Sequence, residues 1–243
     1  MNYSFLQCGE GALTVHLGDG IDPAINRRVT ALQGAIGSAG LRGITDLIPA
    51  YADLTVCYDC TVISAKALQR QLRRLLDSLS VAGQDRRRVF RLPVCYGGDY
   101  GPDLDFVCHH SGLSAQEVIA LHSAPDYLIY MLGFLPGFAY LGGLDPRLHT
   151  PRLDSPRTCI PAGSVGIGGA QTGVYPLASP GGWQLLGRTP VSVFDRQRQK
   201  PILYRAGDLV HFVPISPAEY EEIARAVAAG TYTVQVEEVP VCD

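Results

Sequence analysis

The first 95 residues alternate between strand-like and helix-like patterns of apolar positions. Residues 11–17 (GALTVHL) alternate apolar and polar side chains, which is typical of a half-buried strand. Asp22 then offers an N-cap and Pro23 occupies the first helical position, so a helix is predicted from there. Its apolar residues recur at spacings of four, three and four, on one helix face: Ile25, Val29, Leu32 and Ile36.

Two further strands, a second helix and a last strand complete this region. The runs GITDLIPA (43–50) and DLTVCYD (53–59) are strand-like, and a leucine-rich amphipathic helix begins after Ser64. The run RVFRLPVCY (88–96) predicts the closing strand. The resulting order, β-α-β-β-α-β, predicts a ferredoxin-like domain over residues 1–95.

The pattern changes in the second half. Residues 114–117 (SAQE) form a capping box that predicts a short helix, and SPAE (216–219) predicts another. Between residues 131 and 190 the sequence has 12 glycines and eight prolines but only six charged residues. Prolines at this density exclude long helices and central strands. We therefore predict short strands joined by tight turns, as in a small β-barrel, over residues 96–243.

Composition narrows the classes of function. The net charge is −3, which leaves no electrostatic footprint for nucleic acid or a membrane surface. The seven cysteines show no disulfide-framework spacing, which indicates a reducing compartment, and with no secretory signal in view we expect a cytoplasmic location. Cys57 and Cys60 form one C-x-x-C pair without a second pair, so we predict no metal site.

Residues 161–183 (PAGSVGIGGAQTGVYPLASPGGW) pose the question of phosphate binding. No lysine follows the glycines, as a Walker loop requires, and the dinucleotide fingerprint fails because Gln171 stands where its last glycine belongs. Successive backbone amides between Gly163 and Gly169 still offer a nest for an oxyanion. The segment is therefore either an anion cradle without a named motif or a set of turns.

Side chains around this segment supply candidate chemistry. Arg157 and Arg188 flank it, and their guanidinium groups suit a carboxylate or phosphate, although surface ion pairs explain arginines equally well. Polar groups that suit an uncharged ligand come from Gln171, Thr172 and Tyr175. An apolar wall is offered by Phe134, Phe138, Tyr140 and Trp183, for which burial in the core is the competing interpretation.

Residues 130–190 carry a specific resemblance. This stretch, from YMLGFLPGFAYLGG to GGWQLLGRTP, resembles the signature region of the family of 5-oxoprolinase B subunits. That family is related to the kinase inhibitor KipI and to the allophanate hydrolase subunit 1 domain of urea carboxylases. Three other segments, ALTVHLGDGID (12–22), LPVCYGGDYGPDL (92–104) and PILYRAGDLVHF (201–212), also resemble family segments. The resemblance thus extends over nearly the whole chain.

The resemblance implies an α+β fold and a reaction. The fold is a ferredoxin-like N-terminal domain followed by a cyclophilin-like β-barrel domain. In the reaction, 5-oxoprolinase B, C and A subunits work together, and the complex hydrolyses 5-oxoproline to L-glutamate at the expense of ATP. Phosphorylation of the lactam oxygen converts a stable amide into an activated imidate that water opens. ATP is then the co-substrate of the complex, and this chain is expected to be inactive without its partners.

The chemistry of this reaction suits residues in and beside the glycine-rich segment. Arg157, Arg188 and Tyr175 are predicted to be catalytic, with the two arginines stabilising the transferred phosphoryl group and the substrate carboxylate. Predicted contacts to the substrate come from six residues: Phe134, Tyr140, Ser164, Gln171, Thr172 and Trp183. Two other functions share the same signature, namely a KipI-like inhibitor of a sensor histidine kinase and an amide-handling domain of the urea carboxylase type.

Overall fold

The computed structural model describes residues 3–79 and 86–240, and the chain divides into two compact units, residues 1–84 and 85–243. The first unit holds four strands and two helices: β1 (Ser4–Cys8), β2 (Ala12–His16), α1 (Pro23–Ala39), β3 (Ile44–Pro49), β4 (Asp53–Tyr58) and α2 (Ala65–Asp77). The strands form one antiparallel sheet in the order β1-β2-β4-β3.

The predicted first helix is confirmed together with its cap. The Asp22 carboxylate accepts hydrogen bonds from the backbone N–H groups of Ala24 (2.6 Å) and Ile25 (3.4 Å), and the helix ends at Gly40 in the left-handed conformation. The helix buries its apolar face against the sheet and α2. The fully buried members of this core include Val29, Leu32, Leu13, Val15, Leu54, Val56, Leu68 and Leu72.

The strand predicted to close this first sheet lies elsewhere, and that prediction is wrong. Residues 86–96 pair with strands of the second unit, and the fourth position in the first sheet is filled by β1, which precedes the predicted strands. Gly9, with φ of 65°, closes the hairpin between β1 and β2. A strand's apolar pattern specifies that it is half-buried but not which edge it joins, so the pattern did not distinguish the two.

The described residues of the second unit, 86–240, form ten strands and three α-helices. In chain order they are β5 (Arg86–Tyr96), α3 (Leu104–Ser111), α4 (Ala115–Ser123), β6 (Tyr127–Leu132), β7 (Ala139–Gly142), β8 (Arg157–Ile160), β9 (Ser164–Gly168), β10 (Gln171–Val174), β11 (Ser179–Gly181), β12 (Gln184–Arg188), β13 (Leu209–Ile215), α5 (Pro217–Ala228) and β14 (Gln235–Pro240). The predicted capping boxes of α4 and α5 are both present.

Seven of these strands close into a barrel. They follow the order β12-β9-β10-β7-β6-β13-β5, and β5 returns to pair with β12. One edge of β5 carries β13 in parallel, while the other carries β14 along residues 86–91 and β12 at residues 95–96. The molecule is thus of the α+β class, with a sheet of antiparallel strands in one unit and a closed barrel in the other.

Two separate apolar clusters lie on opposite faces of the barrel wall. The main core is packed around Tyr127 and Phe212 and includes Val165, Ile167 and Leu186. A smaller cluster, built on Phe138, Tyr175 and Trp183, includes Leu185. Since successive residues of a strand point to opposite faces, Leu185 and Leu186 mark the two sides of β12. Among the described residues, no helix combines the length and apolar character that a membrane crossing requires.

Candidate active site on the barrel wall

Glycines in β9 and β10 create a floor for one indole ring. Gly166 and Gly168 alternate with Val165 and Ile167, which belong to the main core. A Cβ added to Gly168 would lie 2.3 Å from Trp183 Nε1, and one added to Gly173 would lie 3.2 Å from Trp183 Cζ3. These glycines are therefore required where they occur because the indole rests directly on the backbone of the sheet.

The backbone N–H groups of the glycine-rich segment are not available to bind an anion. Strand β9 pairs with β10 on one side and β12 on the other, which occupies its amides within the sheet. Gly163 N–H donates to the Tyr175 carbonyl at 2.7 Å, and Gly169 N–H donates to the Thr150 carbonyl at 2.8 Å. The amides between Gly163 and Gly169 are thus committed to backbone carbonyls, and of the two interpretations left open, the segment forms strands and turns and not an anion cradle. These residues do not fit a phosphate group.

Five aromatic side chains, which we name the aromatic cluster, meet on this floor: Phe134, Phe138, Tyr140, Tyr175 and Trp183. Phe138 is central, with ring centroids 5.7 Å from Phe134, 5.2 Å from Tyr140 and 5.5 Å from both Tyr175 and Trp183. The pairs are edge-to-face, the arrangement that the aromatic quadrupole favours. Sequence-predicted site residues that lie far apart in the chain are therefore brought together here.

The cluster has a buried base and an open rim. Phe138, Tyr175 and Trp183 are almost fully buried, whereas Phe134 is 66% exposed and Tyr140 is half-buried. Phe134 is also the one non-glycine residue with positive φ (64°) among those described, in the loop between β6 and β7. Such a backbone conformation costs about 1–2 kcal/mol for an L-residue and is often associated with a functional position. The rim, Phe134 and Tyr140, is the part that a ligand can reach.

Tyr175 supports the cluster and does not reach its surface. Burial raises the pKa of its hydroxyl, while a hydrogen bond with the Trp183 backbone and the charges of Arg152 and Arg157 act in the opposite direction. A phenol whose pKa lies above its usual value of about 10 stays protonated at neutral pH. The geometry therefore gives Tyr175 a packing and hydrogen-bonding role and leaves no free phenolate for catalysis.

Arg157 is tied into the structure by an ion pair. Its Nη2 lies 2.7 Å from Oδ1 of Asp103, and Nη1 donates to the Trp183 carbonyl at 3.3 Å. The second oxygen of Asp103 accepts the Leu185 N–H at 2.6 Å. The Arg157 side chain is 30% exposed, so part of it still faces solvent beside the cluster. Because Asp103 already neutralises it, Arg157 holds the Trp183–Leu185 segment in place more than it offers an unpaired charge.

Arg152 supplies the cation that sequence analysis did not select. Its guanidinium lies 5.9 Å from the Trp183 ring centroid, within the range of a cation–π contact. It is exposed and forms no ion pair with any residue in 3–79 or 86–240. No motif marked Arg152 in the sequence, because its position over the indole depends on the fold of the loop before β8.

Arg188 lies at the other end of β12. Its Nε donates to the Ala162 carbonyl at 2.9 Å, and its charge faces Tyr220 of α5. Five residues of extended strand separate Arg188 from Trp183, which corresponds to about 16 Å at roughly 3.3 Å per residue. Arg188 therefore lies outside the aromatic cluster, whereas Arg157 lies beside it.

The predicted polar contacts divide between the two faces of the wall. Thr172 is fully buried on the core side, where its hydroxyl donates to the Gly166 carbonyl at 3.1 Å, so its prediction as a substrate contact is wrong. Ser164 is also buried, on the face of β9 that carries Gly166. Gln171 is half-buried and shares the cluster's face of β10 with Gly173. Of the three, Gln171 is the one that a ligand can reach.

Sequence analysis also missed a buried polar chain behind this wall. His122 of α4 is fully buried, with Nδ1 2.8 Å from the Tyr96 hydroxyl and Nε2 2.7 Å from the Thr172 hydroxyl. Since Thr172 donates to Gly166, it accepts from Nε2–H, and Nδ1 accepts from Tyr96. Desolvation lowers the pKa of His122 to about 3, so the ring is neutral. In the sequence, only its spacing of four residues from Val118 in the same short helix marks His122 as a residue of the buried face.

No group of His, Cys, Asp and Glu side chains among the described residues is arranged to hold a metal ion. The site is thus an aromatic platform with an exposed rim, a glycine floor, one paired and one unpaired guanidinium, and a neutral amide at its edge. Such a surface suits a small, flat, polar ring that carries an anionic group. It contains no nucleophile with an adjacent base.

Comparison with known proteins agrees with this architecture. The family model of the carboxyltransferase domain, subdomain C and D, matches residues 3–204. The crystal structure of TTHA0988 superposes with a TM-score of 0.74 at 41% identity, covering 84% of this chain and 39% of that one. The Kluyveromyces lactis urea carboxylase has the same fold, with a TM-score of 0.82 at 23% identity over 98% of this chain and 24% of that one. Fold and family model define the class, a two-domain protein of the carboxyltransferase C and D type.

Curated relatives narrow the class further. The 5-oxoprolinase B subunit of Bacillus subtilis (strain 168) is 42% identical over 230 residues, which is 90% of this chain and 96% of the relative. Its counterpart of the same name in Escherichia coli O157:H7 is 45% identical over 85% of this chain and 93% of its own. This chain belongs to the family of 5-oxoprolinase B subunits.

Proposed function

We propose that this chain is the B subunit of an ATP-dependent 5-oxoprolinase, which acts in the cytoplasm with A and C subunits. The observation that carries the proposal is the identity of 42–46% with three proteins named as B subunits of 5-oxoprolinase. The aromatic cluster supports it, because 5-oxoproline is a small, flat lactam with one carboxylate. In the complex, ATP activates the lactam by phosphorylating its oxygen, and water then opens the ring to L-glutamate.

The residues of this chain take binding and orienting roles in that reaction. Phe134 and Tyr140 form the wall against which the lactam ring stacks, and Gln171 bonds the lactam N–H or carbonyl. Arg152 pairs with the carboxylate, while Arg157, which is paired with Asp103, fixes the Trp183 segment. Holding the lactam in one orientation lowers the entropic part of the barrier to phosphoryl transfer.

ATP has no cradle at this site. The amides from Gly163 to Gly169 are bonded within the sheet, and the sequence carries no lysine-bearing phosphate loop. We therefore assign the nucleotide in the proposed complex to a surface outside the aromatic cluster. The aromatic cluster forms one side of a shared substrate site, and the partner subunits contribute the other side.

The test is co-expression of this chain with candidate A and C subunits, followed by measurement of 5-oxoproline-dependent ADP release. We expect release only with the full set of subunits. A full set that assembles but releases no ADP in response to 5-oxoproline refutes the enzyme proposal. The same preparation assayed against a sensor histidine kinase, or with urea as substrate, examines the two related functions.

Three arginine variants then locate the site within an active complex. Arg152→Gln is expected to raise the KM for 5-oxoproline by about tenfold, since a charge-assisted contact contributes on the order of 1.5–3 kcal/mol. Arg157→Gln is expected to lower activity and stability together because it leaves Asp103 unpaired. Arg188→Gln, at the far end of β12, is the matched control. A larger effect on KM at Arg188 than at Arg152 would move the site away from the aromatic cluster.

A further inference from the structure

A concave surface of the barrel unit is lined by basic residues that do not belong to the aromatic cluster. Its cavity of about 440 Å³ lies between the start of β5 and the segment 198–205. Four of its lining side chains are cationic, namely Arg88, Arg198, Lys200 and Arg205, and none is acidic. We name these four residues and the cavity between them the basic pocket. Its volume is in the range of small-molecule sites, about 300–1,000 Å³.

Two of the four cations, Arg88 and Arg198, are held in place by hydrogen bonds and ion pairs within the protein. The Asp208 carboxylate, which is almost fully buried, binds Arg88 through Nε (3.0 Å) and Nη2 (2.5 Å). Arg198 donates through Nη2 to the Ser192 carbonyl at 2.5 Å and lies 3.6 Å from Asp195. These anchors leave other guanidinium N–H groups free for a ligand. Their positions are set before any ligand arrives, which reduces the entropic cost of binding.

The other two cations are not neutralised. Lys200 is exposed and forms no ion pair with any described residue, and it is one of only two lysines in the chain. Arg205 is 65% exposed and reaches Asp208 only at 3.9 Å, although that carboxylate already binds Arg88. Four positive charges therefore meet two negative ones here, in a protein whose net charge is −3. A concave surface with such an excess attracts anions.

We propose that the basic pocket binds a small ligand through its phosphate groups, which together carry two or more negative charges. Guanidinium forks and an ammonium group are the side chains that recognise phosphate oxygens. The uncompensated charge of two matches a diphosphate better than a single carboxylate. Ile202 and Leu203, half-buried in the same cavity, provide apolar contact for the organic part of such a ligand. This site is separate from the one assigned to 5-oxoproline.

Calorimetric titration of the full chain with pyrophosphate tests the proposal at about 0.15 M salt, where exposed charges are screened beyond about 8 Å. We expect saturable binding that Lys200→Gln and Arg205→Gln each weaken by about tenfold, as loss of one charge-assisted contact predicts. Arg196→Gln is the matched control, because Arg196 is exposed in the same loop but does not line the cavity. It is expected to leave the Kd unchanged.

Titrations with inorganic phosphate, metal-free ATP and succinate separate the sources of the anion. Tighter binding of ATP than of pyrophosphate assigns a nucleotide, and equal binding of the two assigns the phosphate groups alone. Succinate that binds as well as pyrophosphate overturns the phosphate assignment. Absence of saturable binding at millimolar pyrophosphate, or an equal loss in Arg196→Gln, overturns the site itself. Because the substituted side chains are exposed, unchanged fluorescence of Trp183 confirms that each variant is folded.

Discussion

A few glycines determine how closely Trp183 approaches the sheet, and Gly168 is the most constrained of them. A Cβ on Gly168 would lie within 2.3–2.6 Å of three indole atoms, so Gly168→Ala displaces the ring. We expect it to lower the free energy of unfolding by about 1–3 kcal/mol, the usual cost of overpacking. Trp183 is the only tryptophan, so denaturant unfolding followed by its fluorescence reports on this site directly.

The control for this variant is the glycine next to the indole. A Cβ at Gly182 would meet its nearest neighbours at 3.6–3.8 Å, which is ordinary contact, and its φ is not positive. We expect Gly182→Ala to change stability by less than about 0.5 kcal/mol. Equal losses for Gly168→Ala and Gly182→Ala would show that close packing under the indole is not what the glycines provide.

At the same scale, His122 makes stability depend on pH. Burial lowers its pKa to about 3 from 6.5, so between these values the unfolded chain binds a proton that the folded chain excludes. The free energy of unfolding therefore falls as the pH is lowered through this window, by up to about 1.4 kcal/mol per pH unit. Above about pH 6.5 the group is neutral in both states and contributes no pH dependence.

His122→Gln separates this effect from those of the carboxylates. Glutamine keeps an N–H donor for Thr172 but does not titrate. The variant is expected to be less stable at pH 7 because it loses the stacked contact of the imidazole ring with Phe212. Its stability is expected to fall less steeply between about pH 6.5 and 4. Denaturant titrations at a series of pH values measure both slopes. Parallel slopes in the two proteins would mean that His122 is not the excluded site.

At the scale of elements, the loop from Gly133 to Gly137 presents Phe134 to solvent in a conformation that glycine prefers. Phe134→Gly removes the strain of a left-handed φ, which raises the free energy of unfolding by about 1 kcal/mol. The greater flexibility of the unfolded chain and the loss of the ring contact with Phe138 lower it by a similar amount. We expect stability to stay within about 1 kcal/mol of the parent. In an active complex the KM for 5-oxoproline is expected to rise by about tenfold.

The comparison for Phe134 is another exposed phenylalanine. Phe106 of α3 is 48% exposed and stacks on His110, outside the aromatic cluster. Phe106→Ala is expected to leave the KM unchanged. If Phe134→Gly leaves the KM unchanged as well, the rim of the cluster does not bind the substrate. If it destabilises the fold by several kcal/mol, the ring is a core residue and not a rim.

Local sequence patterns predicted the helices and strands better than they predicted which strands pair with one another. The capped helices α1, α4 and α5 could be read directly, because a cap and an apolar face are encoded within a few residues. Strand β5 was also predicted, but its partners β12, β13 and β14 lie about 90 to 150 residues further along the chain. Nothing within the strand specifies those partners, so it was assigned to the wrong sheet.

The candidate site shows the same limit. Aromatic residues of the signature region were recognisable as a group, and the fold does bring them together around Phe138. The direction of a side chain in a short strand was not recognisable, because a shift of one residue exchanges the two faces. Thr172 therefore proved to face the core, and Arg152 was passed over although it lies on Trp183.

For the whole molecule, β5 decides where the chain divides. Fragment 85–243 contains every strand of the barrel, whereas fragment 97–243, which starts one residue after the sequence-based boundary at residue 96, lacks β5. Without β5 the barrel loses Phe90, Leu92 and Val94 from its core and leaves the edges of β12 and β13 unpaired. At about 1.5–3 kcal/mol for each buried side chain, this loss is comparable with the total stability of a domain, about 5–15 kcal/mol.

We therefore expect fragment 85–243 to unfold cooperatively, with Trp183 buried as in the parent, and fragment 97–243 to remain unfolded or to aggregate. Denaturant unfolding monitored by tryptophan fluorescence and by circular dichroism distinguishes the two outcomes, since coincident transitions indicate a two-state domain. Adding a peptide of residues 86–96 to the shorter fragment is the complementary experiment, and partial recovery of the native fluorescence is expected. Equal stability of the two fragments would show that the barrel closes without β5. The domain boundary would then lie after β5.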